Sequence, residues 1–296
     1  MLIIINMFVM RSRGFSAILS VTDLLEGSTV HAYEQIAEQL AAEIQAGEWP
    51  TGSPLPTIPE LEERFGVSRI TVRGGLRELE KQGLVYTGYA GGRRGTIVRS
   101  TGITDHLLSD PLRYRGEPPR EGTFAQFAAR QGRTPSTRFE MRMQHVDESI
   151  TERLGVDPGE LVVVRIIHHL LDNEPWSRET SYYARDLAEV VGLDAPHILA
   201  QGTMRTLADA GFRELAHVDE VSFEAAGAED AYDLSVPVGT PLIVQTRTAA
   251  TADRVTRVSR WHRMARNSRM VWEAGQDDAL EVIRKARAHA VEQILR

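Results

Sequence analysis

The sequence has no cysteine and few aromatic residues, and its apolar N-terminal run is too short to span a bilayer. The absence of cysteine from 296 residues excludes disulfide frameworks, thiolate nucleophiles and cysteine-ligated zinc. The apolar run at residues 1–10 has about half the length of a membrane-spanning helix. We therefore expect no membrane partner and a cytoplasmic location.

Length and composition indicate a folded protein with more than one domain. Hydrophobic residues make up 42% of the chain and charged residues 25%, which is ordinary for a globular protein. A chain of 296 residues exceeds one average domain. We predict a disordered leader over residues 1–29, a first domain over residues 30–99 and a linker over residues 100–122. A second domain follows over residues 123–274, and a C-terminal helix over residues 275–296.

Basic residues are concentrated in one part of an acidic chain. The net charge is −7. Residues 54–99 contain eight basic and five acidic side chains, a local charge of +3, so the remainder carries −10. The acidic total therefore conceals a basic segment of the kind that nucleic-acid-binding domains carry.

The basic segment belongs to a pattern of three helices and a hairpin. Apolar residues recur at three- and four-residue spacing over residues 31–47, which predicts an amphipathic helix. Thr57 is a candidate cap for a short second helix, and Ser68 for a third over residues 69–82. Two short strands flank the glycine-rich basic segment 88–95. This order predicts a winged helix-turn-helix whose third helix enters a DNA major groove.

The exposed face of the third helix carries residue types that bind DNA. Arginine can donate two hydrogen bonds to guanine, threonine can meet a thymine methyl group or a phosphate, and a helix N-terminus favours phosphate. The residues on this face are Ser68, Arg69, Thr71, Arg73 and Arg77. The alternative is that these arginines are ordinary solvent-exposed residues of a helix and bind nothing.

The run LPTIPELEERFGVSRITVRGGLRELEKQGLV resembles the DNA-reading head of the GntR family of bacterial regulators. The resemblance implies base or phosphate contacts from the third helix and insertion of the hairpin tip into the minor groove. The full set of predicted DNA-binding residues is Thr57, Ser68, Arg69, Thr71, Arg73, Arg77, Gly92, Arg93 and Arg94. The resemblance also implies double-stranded operator DNA as the partner.

Two features of the third helix depart from this expectation. Gly74 and Gly75 lie inside it, where each costs about 1 kcal/mol relative to alanine, so we expect a soft helix that DNA helps to order. Ile70 stands where relatives frequently carry a polar residue. We therefore expect specific binding to an unusual operator.

The second domain has strands interrupted by short helices, which predicts an α+β fold with an antiparallel sheet. The runs LGVDPGELVVVR, DNEPWSRETSYY and AEDAYDLSVPVGTPLIVQTRT resemble the UTRA effector domain of the HutC subfamily. The resemblance implies a chorismate-lyase-like fold that binds a polar or acidic small molecule, and binding that alters DNA affinity.

Candidate effector-binding residues lie on two predicted strands and one helix start. By alternation, Arg165 and His169 share one strand face, and Glu179 and Ser181 share one face of the next, beside Tyr182. Thr203 is a candidate helix cap whose neighbouring amides could hold an anion. The alternative is that these residues form surface ion pairs, such as Arg165 with Glu179.

Two other functions are alternatives to a transcriptional regulator. The adjacent His168 and His169 are candidate metal ligands. Neighbouring residues on a strand point to opposite faces, however, so the two side chains would not bind one ion together. A metabolite-binding protein or lyase-like enzyme with an incidental basic head is the wider alternative, although no nucleophile motif or phosphate loop supports it. We predict a homodimeric repressor without a cofactor, because one recognition helix contacts too few bases for useful specificity.

Overall fold

A computed structural model describes residues 30–90, 93–100, 102, 104–107, 123–130 and 132–294. The predicted leader and most of the predicted linker lie outside the described residues.

The first domain begins with the three predicted helices, α1 (Val30–Gln45), α2 (Ile58–Phe65) and α3 (Arg69–Lys81). Their apolar faces meet in one core, which contains Leu40 of α1, Leu61 of α2 and Leu79 of α3. All three of these leucines are fully buried. The helix-turn-helix predicted from the apolar spacing is therefore confirmed.

A small antiparallel hairpin forms the wing. Strand β1 (Val85–Ala90) pairs with β2 (Arg93–Val98). The segment that leads into α2 lies along the other edge of β2, where the Leu55 amide donates to the Thr96 carbonyl at 2.8 Å. The wing is thus fixed to the helices through β2.

The second domain is built on a six-stranded antiparallel sheet, which confirms the predicted α+β fold. Its strands are β4 (Pro135–Gln144), β5 (Val162–Leu171), β6 (Glu174–Tyr183), β7 (Ala216–Ala225), β8 (Pro241–Ala250) and β9 (Val255–Met264). Their order in the sheet is β4-β5-β6-β9-β8-β7. Strands that are distant in sequence, β6 and β9, are therefore adjacent at its centre.

Short helices cover both faces of this sheet. They are α5 (Glu148–Leu154), α6 (Arg185–Val191), α7 (Thr203–Asp209) and α8 (Ala228–Leu234). Apolar residues of α5 pack on Val164 and those of α6 on Val163, which points to the opposite face. A further helix, α4 (Thr123–Arg130), precedes β4; the sequence analysis had not predicted α4 or α6.

The segment after the wing pairs with the end of the sheet domain. Strand β3 (Thr104–Leu107), within the predicted linker, pairs in parallel with β10 (Ser268–Val271). The predicted C-terminal helix is observed as α9 (Asp277–Ile294). No helix in the described ranges is long and apolar enough to cross a membrane.

Candidate nucleic-acid interface and effector site

Helix α3 presents a cationic face to solvent. Arg69, Arg73 and Arg77 are exposed, while Val72 and Leu76 on the other side of the helix are buried in the core. Glu62 of α2 lies close to this face, with its Oε2 4.0 Å from Arg69 Nε. Arg73 and Arg77 have no ion-pair partner among the described residues. Their guanidinium groups are therefore available to an external anion.

Two residues of the predicted DNA-binding set fix the starts of helices. Ser68 Oγ accepts a hydrogen bond from the Thr71 amide at 3.3 Å and lies 2.9 Å from Thr71 Oγ1. The amide and hydroxyl of Thr57 both donate to Glu60 Oε2, at 2.7 and 2.8 Å. These bonds lower the pKa of Glu60 and set the start of α2. Thr57 is exposed beside α3, as a phosphate contact requires.

The glycine pair in α3 has a packing role that the sequence analysis missed. A Cβ at Gly75 would lie 2.9 Å from Ile36 Cγ2 and 3.0 Å from the Tyr33 carbonyl oxygen. A Cβ at Gly74 would lie 3.0 Å from Tyr33 Cβ. The glycines therefore allow α1 and α3 to approach closely, so their helix-propensity cost is offset by packing.

Among the wing side chains that the structure describes, one is a predicted basic DNA contact. Arg94 is exposed on β2, opposite Tyr89. Gly92 and the side chain of Arg93 lie outside the described residues, so their predicted DNA contacts stay predictions.

Most of the predicted effector residues share one face of the sheet, here called the polar face. Glu179 Oε2 lies 3.3 Å from His169 Nε2, and Ser181 Oγ donates to Glu179 Oε1 at 3.1 Å. Burial alone would raise the pKa of Glu179, but the hydrogen bond and charge of His169 outweigh it and the pKa falls to about 2. Glu179 is therefore an ionised acceptor held between two donors.

Arg165 lies on the polar face but has a structural role there. Its guanidinium donates to the backbone carbonyls of the loop between α6 and α7, with distances of 2.7 Å to Leu193, 3.0 Å to Ala195 and 2.7 Å to His197. It also lies over the Phe139 ring, 4.4 Å from the centroid. Arg165 is thus buried and does not form the predicted alternative, a surface pair with Glu179.

Tyr182 is not brought together with this group, whereas Thr203 is linked to it through Tyr183. Tyr182 alternates to the opposite face, where it packs against the cluster formed by α5. The prediction that Thr203 caps a helix was wrong, because Gly202 is the N-cap and Thr203 is the first residue of α7. The Thr203 side chain hydrogen-bonds to the buried Tyr183, which also hydrogen-bonds to Ser181. The structure therefore separates Tyr182 from the other predicted effector residues.

Sequence reasoning missed two further arginines on the polar face, both of which are ion-paired. Arg247 donates to Asp219 at 2.8 and 2.6 Å. Arg257 donates to Glu214 at 2.7 and 3.0 Å. The alternation of β8 and β9 would have placed both arginines on one face, but their neighbours depend on the strand order.

Rings gather beside the polar face near one end of the sheet. Centroid distances are 4.8 Å from Trp176 to Phe127, 5.5 Å from Trp176 to Phe124, and 4.9 Å from Trp176 to His106. These four residues are here called the aromatic cluster. The buried Arg263 lies over the Trp176 ring, 5.9 Å from its centroid.

A buried ion pair joins the wing to the sheet domain. Arg99 follows β2, and its Nη1 lies 3.3 Å from Glu174 Oε1 at the start of β6. Arg99 Nη2 also donates to the Ser235 carbonyl at 2.8 Å, and its guanidinium lies over the Tyr86 ring at 4.7 Å. Glu174 additionally accepts from Arg133 Nη2 at 3.3 Å. The two domains therefore meet at Glu174.

The adjacent histidines 168 and 169 point to opposite faces of the sheet. His168 lies 3.3 Å from Glu140 and 3.6 Å from Asp233, whereas His169 lies next to Glu179 on the polar face. Across the part of the chain that the structure describes, no three or more His, Asp or Glu side chains form a group that could hold a metal ion.

Comparisons with known proteins match both domains. Residues 32–98 match the family model described as bacterial regulatory proteins, gntR family, and residues 130–266 match the UTRA domain. The HTH-type transcriptional repressor NagR of Bacillus subtilis is 46% identical over 97 residues, which cover 31% of this chain and 39% of NagR. This alignment therefore spans about two fifths of that relative.

A longer alignment covers most of the chain. An HTH-type transcriptional regulator of Streptomyces coelicolor is 28% identical over 231 residues, which cover 75% of this chain and 84% of the relative. A crystal structure of a GntR-family transcriptional regulator superimposes with a TM-score of 0.50 at 22% identity, covering 83% of this chain and 98% of that one. This likeness supports the fold.

The matched families and relatives are transcriptional regulators and not enzymes, which removes the lyase-like alternative. In this chain the gntR-family match precedes the UTRA match, so a DNA-reading head is followed by a UTRA domain. The chain is therefore a transcriptional regulator with a gntR-family DNA-binding domain over residues 32–98 and a UTRA domain over residues 130–266.

Proposed function

We propose that this regulator is a homodimeric repressor of the HutC subfamily, whose operator affinity falls when a polar or acidic effector binds the sheet domain. The observation that carries the proposal is the exposed cationic face of α3, in a head tied by Arg99 to the sheet domain. The name of the NagR relative, a transcriptional repressor, supports the direction of control.

The head reads the operator with its exposed arginines. Arg73 lies one turn after Arg69 on the same helix, so both side chains can enter one major groove. Two guanidinium groups without an internal carboxylate partner favour guanine edges or phosphates. Ser68, Thr71 and the basic wing contribute contacts on either side.

A dimer follows from the size of this reading surface. One recognition helix contacts only a few base pairs, whereas two heads on adjacent half-sites give the specificity that a regulator needs. The operator is therefore expected to be near-palindromic. Because this operator is genomic DNA, the protein acts in the cytoplasm.

The sheet domain holds the effector on its polar face. Glu179, His169 and Ser181 form a connected group there, with an ionised carboxylate at its centre. A ligand shifts an equilibrium only by its different affinities for two states. The effector must therefore bind more tightly to the arrangement of heads that cannot grip both half-sites.

The proposed boundaries are a head over residues 30–99, a linker over 100–122 and an effector domain over 123–274. Residues 1–29 form a leader, and residues 275–296 a C-terminal helix. Pairing of β3 with β10 fastens part of the linker to the end of the effector domain.

The test is selection of operators from a random DNA pool by the full chain, followed by anisotropy titrations at several salt concentrations. An enriched near-palindromic sequence is expected. Arg73→Ala is expected to weaken operator binding by about 1–3 kcal/mol and, if Arg73 contacts a phosphate, to reduce the salt dependence.

The matched control is Arg185→Ala, which removes the same charge from an exposed ion pair with Glu189 on α6. This variant should bind as the parent does. Failure to enrich any sequence, or equal binding by the Arg73→Ala and parent proteins, would overturn the proposal.

A further inference from the structure

Arg263, on β9, is a buried cation with a single internal hydrogen bond. Its side chain is 6% exposed, and its Nη1 donates to Gln245 Oε1 at 3.1 Å. Its Nε has no hydrogen-bond partner, and no carboxylate pairs with it among the residues that the structure describes. This guanidinium has an unbonded Nε and no directly bonded carboxylate, and the negative charges that act on it are those of Glu179 and Asp219.

The other buried arginines of the polar face do not share this property. Arg247 and Arg257 each have a bidentate carboxylate, and Arg165 is occupied by backbone carbonyls. Burial lowers the pKa of Arg263 to about 10, so the group remains protonated at neutral pH. The polar face therefore has one buried positive charge available for an anion.

The aromatic cluster lies beside this charge. Arg263 lies over Trp176, which stacks on His106 and contacts both phenylalanines of α4. Phe124, Phe127 and Trp176 are only half-buried, so their rings can be reached from solvent. The cluster therefore offers flat apolar surfaces beside the unpaired cation.

Polar atoms without hydrogen-bond partners belong to residues of the aromatic cluster and of the neighbouring polar face. His106 Nε2, His169 Nδ1 and Ser177 Oγ are buried without a hydrogen-bond partner. Burial, with a smaller effect from Arg263, lowers the pKa of His106 to about 2, so this ring is neutral. Arg263 is thus the charged anchor, and these unpartnered atoms can hydrogen-bond to a bound molecule.

We propose that Arg263 and the aromatic cluster bind a planar unsaturated carboxylate as the effector, with its carboxylate on Arg263 and its flat ring system stacked on the solvent-accessible rings of the cluster. This inference rests on the proposed function, because it names the effector class of the same domain. A single free guanidinium matches a monoanion, and stacked rings favour a flat body over a hydroxyl-rich sugar.

The position of the site connects it to the DNA-reading head. Trp176 lies two residues after Glu174 on β6, and Glu174 holds Arg99. Arg133, which follows α4, donates to Glu174 as well. A ligand that moves α4 or Trp176 therefore acts on the groups that join the head to the sheet domain.

The first experiment is calorimetric titration of the full chain with defined probes. We expect saturable binding of 2-naphthoate. Cyclohexanecarboxylate, which keeps the charge but is not planar, should bind at least about tenfold more weakly, and so should the uncharged 2-naphthamide. Tighter binding of glucose 6-phosphate than of 2-naphthoate would overturn the proposal, as would no saturable binding of 2-naphthoate.

Variants then assign the binding to this place. Arg263→Gln should reduce 2-naphthoate affinity at least about tenfold, and Phe127→Leu by several fold. The matched control is Arg260→Gln, on the same strand but on the opposite face in an exposed pair with Glu224. Equal losses in Arg263→Gln and Arg260→Gln would contradict the site.

Folding and DNA binding are measured on the same samples. Arg263→Lys keeps the charge and provides a second measurement if Arg263→Gln melts early by circular dichroism. Its affinity for 2-naphthoate should fall by less than the roughly tenfold expected of Arg263→Gln. A chain that binds its selected operator but not 2-naphthoate overturns the ligand class alone. A chain that selects no operator overturns the proposed function, whatever its ligand binding.

Discussion

Arg99 Nη1 and Glu174 Oε1 lie 3.3 Å apart in a buried ion pair that joins the wing to the first residue of β6. Both side chains are almost completely buried, and Arg99 has further partners in the Ser235 carbonyl and the Tyr86 ring. Loss of one partner from such a pair leaves an uncompensated buried charge. The pair is therefore suited to transmit a change in the sheet domain to the head.

Glu174→Gln is expected to destabilise the protein and to uncouple its two domains. The amide keeps the shape of the side chain but removes the charge, and breaking a buried pair costs about 3–5 kcal/mol. Thermal unfolding measures the stability loss. The ratio of operator affinities without and with 2-naphthoate measures the coupling and should fall toward one.

Glu224→Gln is the control, because it breaks an exposed pair with Arg260, which is worth about 0–1 kcal/mol. An unchanged ratio of operator affinities in Glu174→Gln would show that the pair does not carry the coupling.

Ile70 is expected to read a thymine methyl group. Its side chain is 81% exposed beside Arg69 at the start of the recognition helix, where a large apolar side chain has no internal packing role. Replacement of the contacted thymine by deoxyuridine should weaken binding by about 1 kcal/mol, or roughly fivefold. Ile70→Ser should bind both operators equally.

Val218→Ser, which removes an exposed apolar side chain from β7, should retain the difference between thymine and deoxyuridine. If no thymine position responds to this replacement in the parent protein, Ile70 does not read a methyl group.

Gly75→Ala is expected to destabilise the head although alanine is the better helix former. The gain in helix propensity is about 1 kcal/mol, but the new Cβ would lie 2.9 Å from Ile36 Cγ2 and 3.0 Å from a backbone oxygen. Overpacking of this kind costs about 1–3 kcal/mol. Chemical denaturation measures the net loss.

Gly95→Ala is the comparison, because a Cβ there meets no atom within 4 Å. This variant should unfold at the denaturant concentration of the parent or slightly above it. Greater stability of Gly75→Ala than of the parent would contradict the packing role.

Glu179 is expected to make stability depend on acidic pH. Its pKa falls from an ordinary value of 4.5 to about 2 in the folded protein. A lowered pKa contributes stability that is fully present above about 4.5 and is lost as pH falls toward 2. The contribution is up to about 3 kcal/mol.

Glu179→Gln should therefore lose less stability than the parent between about pH 5 and pH 3, which denaturation curves at each pH would reveal. Because Glu214 and Asp219 also have lowered pKa values, the difference between the two proteins is the relevant measurement. Identical pH profiles would contradict the assignment to Glu179.

Much of the fold followed from local patterns. The predicted starts of α2 and α3 are those observed, because a capping residue and an apolar period act over a few neighbouring residues. Helices α4 and α6 were not predicted because they are short. Their few apolar residues do not form a clear helical period, and what buries them is the packing of each helix on the sheet.

The candidate site was predicted only in part. Alternation placed His169, Glu179 and Ser181 on one face, and the structure confirms this arrangement. It could not reveal that the Arg165 guanidinium donates its hydrogen bonds to backbone carbonyls of a distant loop. Nor could it reveal the unpaired Arg263, whose surroundings come from β6, β8 and α4.

The sequence by itself determined the reading head, the order of the two domains and the α+β class, because capping, periodicity and local charge are properties of neighbouring residues. Only the tertiary structure decided which arginine of the polar face keeps a donor that neither a carboxylate nor a backbone carbonyl accepts from, and why Gly75 must be small. It also decided that Arg99 belongs to the domain junction. These properties depend on atoms brought together from distant parts of the chain, across a sheet whose strand order no local pattern encodes.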